Sequence, residues 1–245
     1  MKHLKLFQTN ADYESATLDL PNVSYVEETG SVWFNPVDPF NGYEYVDLGL
    51  PSGTLWAKCN VGATSPEEIG LYFAWGEVIG YKDINSGKSF SWEDYKYCNG
   101  SYDTLTKYCS SSLVGVVVDD KTTLDLEDDA ASVNMGGEWR MPNPYEHEEL
   151  INNTTSTWTT INGINGRLFT SNINGNTIFL PAGGACMSGE RLLFGETGCY
   201  ITSYRDANGL NTVGSFFNSE NNLTLNLDNE RFMGLPVRGV IKPNN

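Results

Sequence analysis

The chain reads as an α+β protein built mainly from short antiparallel strands. Three observations predict this. Runs of β-branched and aromatic residues of strand length recur along the sequence. Clusters of Gly and Asn, "INGING", "NINGN" and "AGGA", separate them with residues that tolerate positive φ. Only two segments carry a helical pattern with caps, and two short helices among many strands is an α+β arrangement.

Taken in order, residues 1–40 differ from the rest. "ADYESATLDL" is compatible with a short helical turn, and Val23–Val26 and Ser31–Phe34 read as strands around Glu-Thr-Gly. "NPVDPFNG", with Pro36 and Pro39, marks a boundary. This predicts an N-terminal arm or hairpin over residues 1–40 and a main domain over 41–245. Strands are then predicted at Tyr43–Leu48, Thr54–Cys59, Leu71–Trp75, Arg167–Thr170, Thr177–Leu180, Cys199–Ser203, Leu223–Leu227 and Pro236–Ile241.

The first helix lies in "DLEDDAASVNMGG". Leu126, Ala130 and Val133 give it one apolar face and Gly136 stands at its C-terminal cap. The second opens at "RMPNPYEHEELI". Asn143 suits the N-cap, Pro144 the first turn, and Glu146 can bond back to the cap. Leu150 and Ile151 supply its buried side, and His147 is expected on an exposed face. "SPEE" at 65–68 repeats the cap logic for a single turn.

Composition bounds the function. The 245 residues carry 15 Lys and Arg against 31 Asp and Glu, a net charge of −16. Neutralising phosphates needs basic residues, so the composition argues against nucleic acid and anionic membrane surfaces as partners. No run of 18 apolar residues occurs, so membrane insertion through an apolar helix is not expected. The first twenty residues lack the apolar core of a secretory signal, which predicts synthesis in the cytoplasm. Cys59, Cys98, Cys109, Cys186 and Cys199 are odd in number and form no CxxC, so neither a disulfide framework nor a zinc site is expected; small buried thiols are. The only histidines are His3 and His147, and no Walker loop or G-x-S-x-G elbow occurs. The pairs Asp119–Asp120 and Asp128–Asp129 read as solvated acidic face.

Three ordered stretches carry a family resemblance: "YVDLGLPSGTLWAKCNVGA" (45–63) with "GLYFAWGE" (70–77); "DDAASVNMGGEWRMPNPYEHEELI" (128–151); and "GNTIFLPAGG" (175–184), "GCYITSYR" (198–205) and "GLPVRGVIKP" (234–243). Together they resemble the repeated-paralogue domain of gut Bacteroidetes and their phages, within the C-type-lectin-like group that includes formylglycine-generating enzymes. The resemblance spans residues 43–243. The arm is similar to those of structural proteins of crAss-like Bacteroides phages. The resemblance implies a C-type-lectin-like domain in which Arg140–Asn143 forms an architectural turn into a helix packed on the sheet.

Two activities of the group lack their residues here. Formylglycine-generating enzymes use a close copper-binding Cys pair, whereas Cys186 and Cys199 are 13 residues apart. Calcium-dependent lectins carry Glu-Pro-Asn or Gln-Pro-Asp with Trp-Asn-Asp, and none of these occurs. No cofactor, catalytic residue or calcium-dependent sugar site is therefore expected, while the clustered oxygens of the acidic loops leave a structural calcium open. Residues 200–233 are dense in Tyr, Ser, Asn and Phe, a composition suited to recognition. In related proteins the corresponding segment displays the ligand contacts. The expected contacts are Tyr204, Arg205, Asp206, Asn208, Asn211, Phe216, Phe217, Asn218, Asn221, Asn222, Arg231 and Phe232.

The reading is a non-enzymatic fibre or adhesin subunit on a phage virion. Residues 1–40 would hold other virion proteins and sister copies, with a homotrimer favoured, and the main domain would bind host-surface glycan or protein. The alternatives are a bacterial surface adhesin, a capsid decoration protein without ligand and a formylglycine-type enzyme.

Overall fold

A computed structural model describes residues 23–26, 31–34, 38–220 and 223–242. The chain divides into two compact units, Met1–Asp38 and Pro39–Asn245. In the first, β1 (Val23–Val26) and β2 (Ser31–Phe34) pair antiparallel, with Val23 opposite Phe34 and Val26 opposite Ser31. The helical turn expected in residues 11–20 lies outside the described residues.

The second unit is α+β, with every pair of named strands antiparallel. β3 (Tyr45–Val46) and β4 (Leu55–Ala57) form a small sheet closed by the last strand, β15 (Val240–Ile241). β5 (Tyr72–Phe73) pairs with β14 (Leu235–Pro236). These strands are shorter than predicted because side chains and turns take over backbone partners. The Asp47 carboxylate accepts from Gly49 N at 2.7 Å, and Asn174 and Asn176 donate to the Asp47 carbonyl. The predicted strand 236–241 splits in two around Arg238, whose guanidinium is buried between the backbone carbonyls of Ala57, Lys58 and Phe179.

Two three-stranded sheets supply the long strands. β6 (Thr154–Ile161), β7 (Ile164–Ser171) and β8 (Thr177–Pro181) lie in the order β6-β7-β8. After the small hairpin β9 (Ala185–Met187) and β10 (Glu190–Leu192) come β11 (Thr197–Arg205), β12 (Asn211–Asn218) and β13 (Leu223–Glu230), in the order β11-β12-β13. β6 and β12 are not among the predicted strands. "TTSTWTTI" lacks apolar–polar alternation and "NTVGSFFN" is interrupted by glycine, so their strand signal is the β-branched and aromatic content alone.

The first helix, α1 (Ala130–Met135), starts at Asp129, whose carboxylate accepts from Ser132 N at 2.9 Å, and stops at Gly136. Its buried face is Ala130, Ala131 and Met135. The apolar face predicted through Leu126 and Val133 is wrong. Leu126 lies in a separate 3₁₀ turn, Leu126–Asp128, and is 70% exposed. The second helix, α2 (Pro144–Asn152), has the predicted Asn143 cap and reciprocal Glu146 bond. Glu146 also receives both Arg140 terminal nitrogens, at 2.6 and 2.8 Å, and the Thr54 hydroxyl. Arg140 in turn exchanges two backbone bonds with Val240. Its role is to lock the helix entry to the closing strand. Residues 65–68 make only a turn.

His147 corrects a second expectation: it is 3% exposed, packed against Trp56 with ring centroids 5.5 Å apart. The helix buries Glu146, His147 and Leu150, so the imidazole faces the sheet rather than solvent. Among the described residues, its two nitrogens and Trp56 Nε1 have no hydrogen-bond partner. Burial lowers its pKa to about 4, so the ring is neutral at pH 7.

Candidate ligand-binding surface

β11 and β12 are joined by a tight turn at Asp206–Leu210. The Asp206 carboxylate organises it, accepting from Gly209 N at 2.7 Å, Asn211 N at 3.3 Å and Asn211 Nδ2 at 3.1 Å. Gly209 has φ +83°, and a Cβ there would sit 3.0 Å from Ser110 Oγ, so a side chain would be both strained and crowded. Ser110 Oγ donates to the Asn208 carbonyl at 2.9 Å, tying the turn to the loop at 108–121.

That loop is shaped from within. The Asp119 carboxylate accepts from the backbone N–H of Tyr108 and Cys109, both at 2.8 Å. Val116 N donates to Leu105 O and Leu105 N to Val114 O. Gly115 lies so close that a Cβ would meet Cys109 Sγ at 2.5 Å. The loop presents Leu113, 83% exposed, and Val116, 62% exposed, with Val117 and Val118 also exposed. Single exposed aliphatics are ordinary, but four within six residues on a braced loop form a patch of the kind that marks interaction sites.

Two arginines hold this end from beneath. Arg205 donates to Lys121 O at 2.8 Å and Asp206 O at 2.8 Å, and pairs with Asp120 at 3.2 Å. Arg231 donates to Tyr95 Oη at 3.0 Å and to the carbonyls of Tyr108 (3.1 Å), Gly209 (3.0 Å) and Lys107 (3.0 Å), with its guanidinium 4.8 Å from the Trp75 ring centre. It thus joins the turn and the loop through the core.

The twelve expected contact residues do not form one site. Tyr204, Asp206, Asn208 and Asn211 lie at the turn end; Tyr204 is half-buried beside Thr123, while Asn208 is exposed. Phe216, Phe217 and Asn218 lie toward the other end of β12, and an eight-residue strand spans roughly 25 Å. Asn218 O accepts from Arg167, and Phe216 is half-buried against the core. Asn221 and Asn222 lie outside the described residues. Arg205, Phe217, Arg231 and Phe232 are buried, which corrects their expected place on the surface. Phe217 stacks on Tyr200 and Phe232 packs edge-on to Trp92, so their apolar area serves the core. The aliphatics at 113–118 went unpredicted; their signal is "LVGVVV" set between Ser and Asp pairs.

The acidic pairs are not simply solvated. Asp119 caps the loop, and Asp129 caps α1 while both its oxygens accept Met141 N, at 3.0 and 2.9 Å. Asp128 is buried and accepts from the Tyr97 and Tyr108 hydroxyls and from Lys107 at 2.5 Å. Burial alone would raise its pKa, but bonds from Lys107, Tyr97, Tyr108 and Lys96 outweigh it and hold it at about 2. Asp125, Glu127 and Asp128 bring carboxylate oxygens within 4.8 Å of one another. The Lys107 ammonium already sits among them, 2.9 Å from Asp125 and 3.6 Å from Glu127, so a cation there would have to displace it. Burial pushes the thiols of Cys186 and Cys199 up to about 11, leaving both protonated at neutral pH.

No family model, curated protein or solved structure matches the chain.

Proposed function

We propose that this chain is a non-enzymatic adhesin or fibre subunit of a phage virion infecting gut Bacteroidetes. Its second unit would be a C-type-lectin-like domain that binds host-surface glycan or protein, and residues 1–40 would attach it to virion proteins or sister copies. The resemblance of the three ordered stretches supports the family. The observation that carries the binding role is the braced surface at the turn end of β11–β12. Asp206, Asp119, Arg205 and Arg231 fix the backbone from within, which leaves Leu113, Val116, Val117, Val118 and Asn208 outward at little ordering cost on binding.

This narrows the contact surface within residues 200–233 to the 206–210 turn and adds the 113–118 loop. Val117→Lys with Leu113→Lys should remove binding to host cells and leave the melting temperature within about 2 °C, since exposed substitutions change stability little. Undiminished binding would reject this surface.

A further inference from the structure

Among the described residues, strand β6 is an open edge. It pairs with β7 in unbroken register from Thr154 opposite Ser171 to Ile161 opposite Ile164. The turn between them is two residues, Asn162 and Gly163, both at positive φ. Such a turn closes on a hydrogen-bonded pair. The alternation then directs the backbone groups of Thr155, Thr157 and Thr159 to β7, and those of Ser156, Trp158 and Thr160 outward. Among the described residues nothing accepts or donates at those outward groups.

Proteins protect such edges with charges, proline, bulges, shortness or a covering segment. β6 has eight residues, with no charge, no proline and no bulge. The sequence of β13, the corresponding edge strand of the other three-stranded sheet, by comparison includes Asp228 and Glu230. The missing charge is part of a wider pattern. From Leu150 to Gly189 the sequence holds one charged residue, Arg167, in a chain of net charge −16. Arg167 is itself buried, donating to Ser156 Oγ at 2.7 Å and to Asn218 O. The strands of the β6–β7–β8 sheet therefore expose no charge of their own on an acidic molecule, and the one carboxylate that reaches them, Glu67, sits at the turn end on Asn162.

We infer that a second copy of this chain pairs there, β6 against β6 in antiparallel register about a twofold axis. Two copies that repel elsewhere can approach through a neutral edge, and antiparallel pairing of identical edges is self-complementary. The contact is small compared with interfaces of about 1,200–2,000 Å², so the association is weak and concentration-dependent. It has a distinctive salt dependence. No ion pair forms across the edge, whereas salt screens the repulsion between the two acidic bodies. Association therefore strengthens as salt rises, opposite to an ion-paired interface.

The test is sedimentation of the full chain at about 100 µM, a concentration suited to weak pairing. It is run in about 20 mM and about 500 mM NaCl, where the screening lengths differ several-fold. The mass of the unit present at low salt should double at high salt. Thr160→Pro removes an outward N–H without touching the β7 ladder, and Thr160→Lys adds a charge at an exposed position. Both should keep the wild-type circular dichroism and fail to double. In the wild type the amides of Ser156, Trp158 and Thr160 should gain exchange protection at high salt. A mass unaffected by salt, doubling in both variants, or unprotected outward amides in the wild type would each overturn the inference; the first result is also expected if the edge serves a different chain.

Discussion

Replacing Arg231 by Met separates a core arginine from a ligand contact. The side chain is fully buried and donates to three backbone carbonyls, those of Lys107, Tyr108 and Gly209, and to the Tyr95 hydroxyl. Met fills most of the volume but donates nothing. Each buried acceptor left without a partner costs about 1–3 kcal/mol, and the three are not independent. Discounting for relaxation gives a loss of about 3–5 kcal/mol, a large share of the 5–15 kcal/mol typical of a domain. In urea unfolding followed by tryptophan fluorescence, the midpoint should fall by about 1 M or more. A loss below about 1 kcal/mol, with host-cell binding abolished, would show that Arg231 meets a ligand and refute the structural role.

Three further outcomes follow from the buried groups. His147 has a folded pKa of about 4, below its unfolded value of 6.5, so the unfolded chain takes up its proton first as pH falls. Its contribution is fully present above about pH 6.5 and is lost progressively toward pH 4, by about 3 kcal/mol in total. His147→Phe should flatten urea stability across that window, and an unchanged slope would contradict it. For Asp128, held near 2, stability is present above about pH 4 and declines as pH falls toward 2. Asp128→Asn should cost about 2–4 kcal/mol at pH 7 because it leaves the Lys107 charge short of a partner. Native Cys186 and Cys199, with thiols near 11, should be alkylated by iodoacetamide at pH 8 far more slowly than in the denatured chain, and equal rates read by peptide mass spectrometry would refute that protection.

What the sequence made legible was local. The α2 cap is written in four consecutive residues, Asn143 to Glu146, whose bonds need no distant partner. The strands at 177–181 and 197–205 are legible for a related reason, because apolar runs end at turn residues. What failed depended on the third dimension. Arg205 and Arg231 look like recognition residues in an Asn- and Tyr-rich stretch, yet their partners lie at Lys107, Tyr108 and Lys121, about a hundred positions away. His147 sits on a polar-looking helix, yet it shares the buried side with Glu146 and Leu150 and packs on Trp56. The 113–118 aliphatics resemble a buried strand, and only the close approach at Gly115 and the bonds to Leu105 reveal an outward loop.

The most direct test of the account is binding of the labelled, purified protein to intact gut Bacteroidetes cells, with and without their capsular polysaccharide. A host-binding adhesin should bind saturably, depend on the surface layer and lose binding in the Leu113→Lys, Val117→Lys variant. Absence of binding to every strain, encapsulated or bare, would contradict the proposed adhesin.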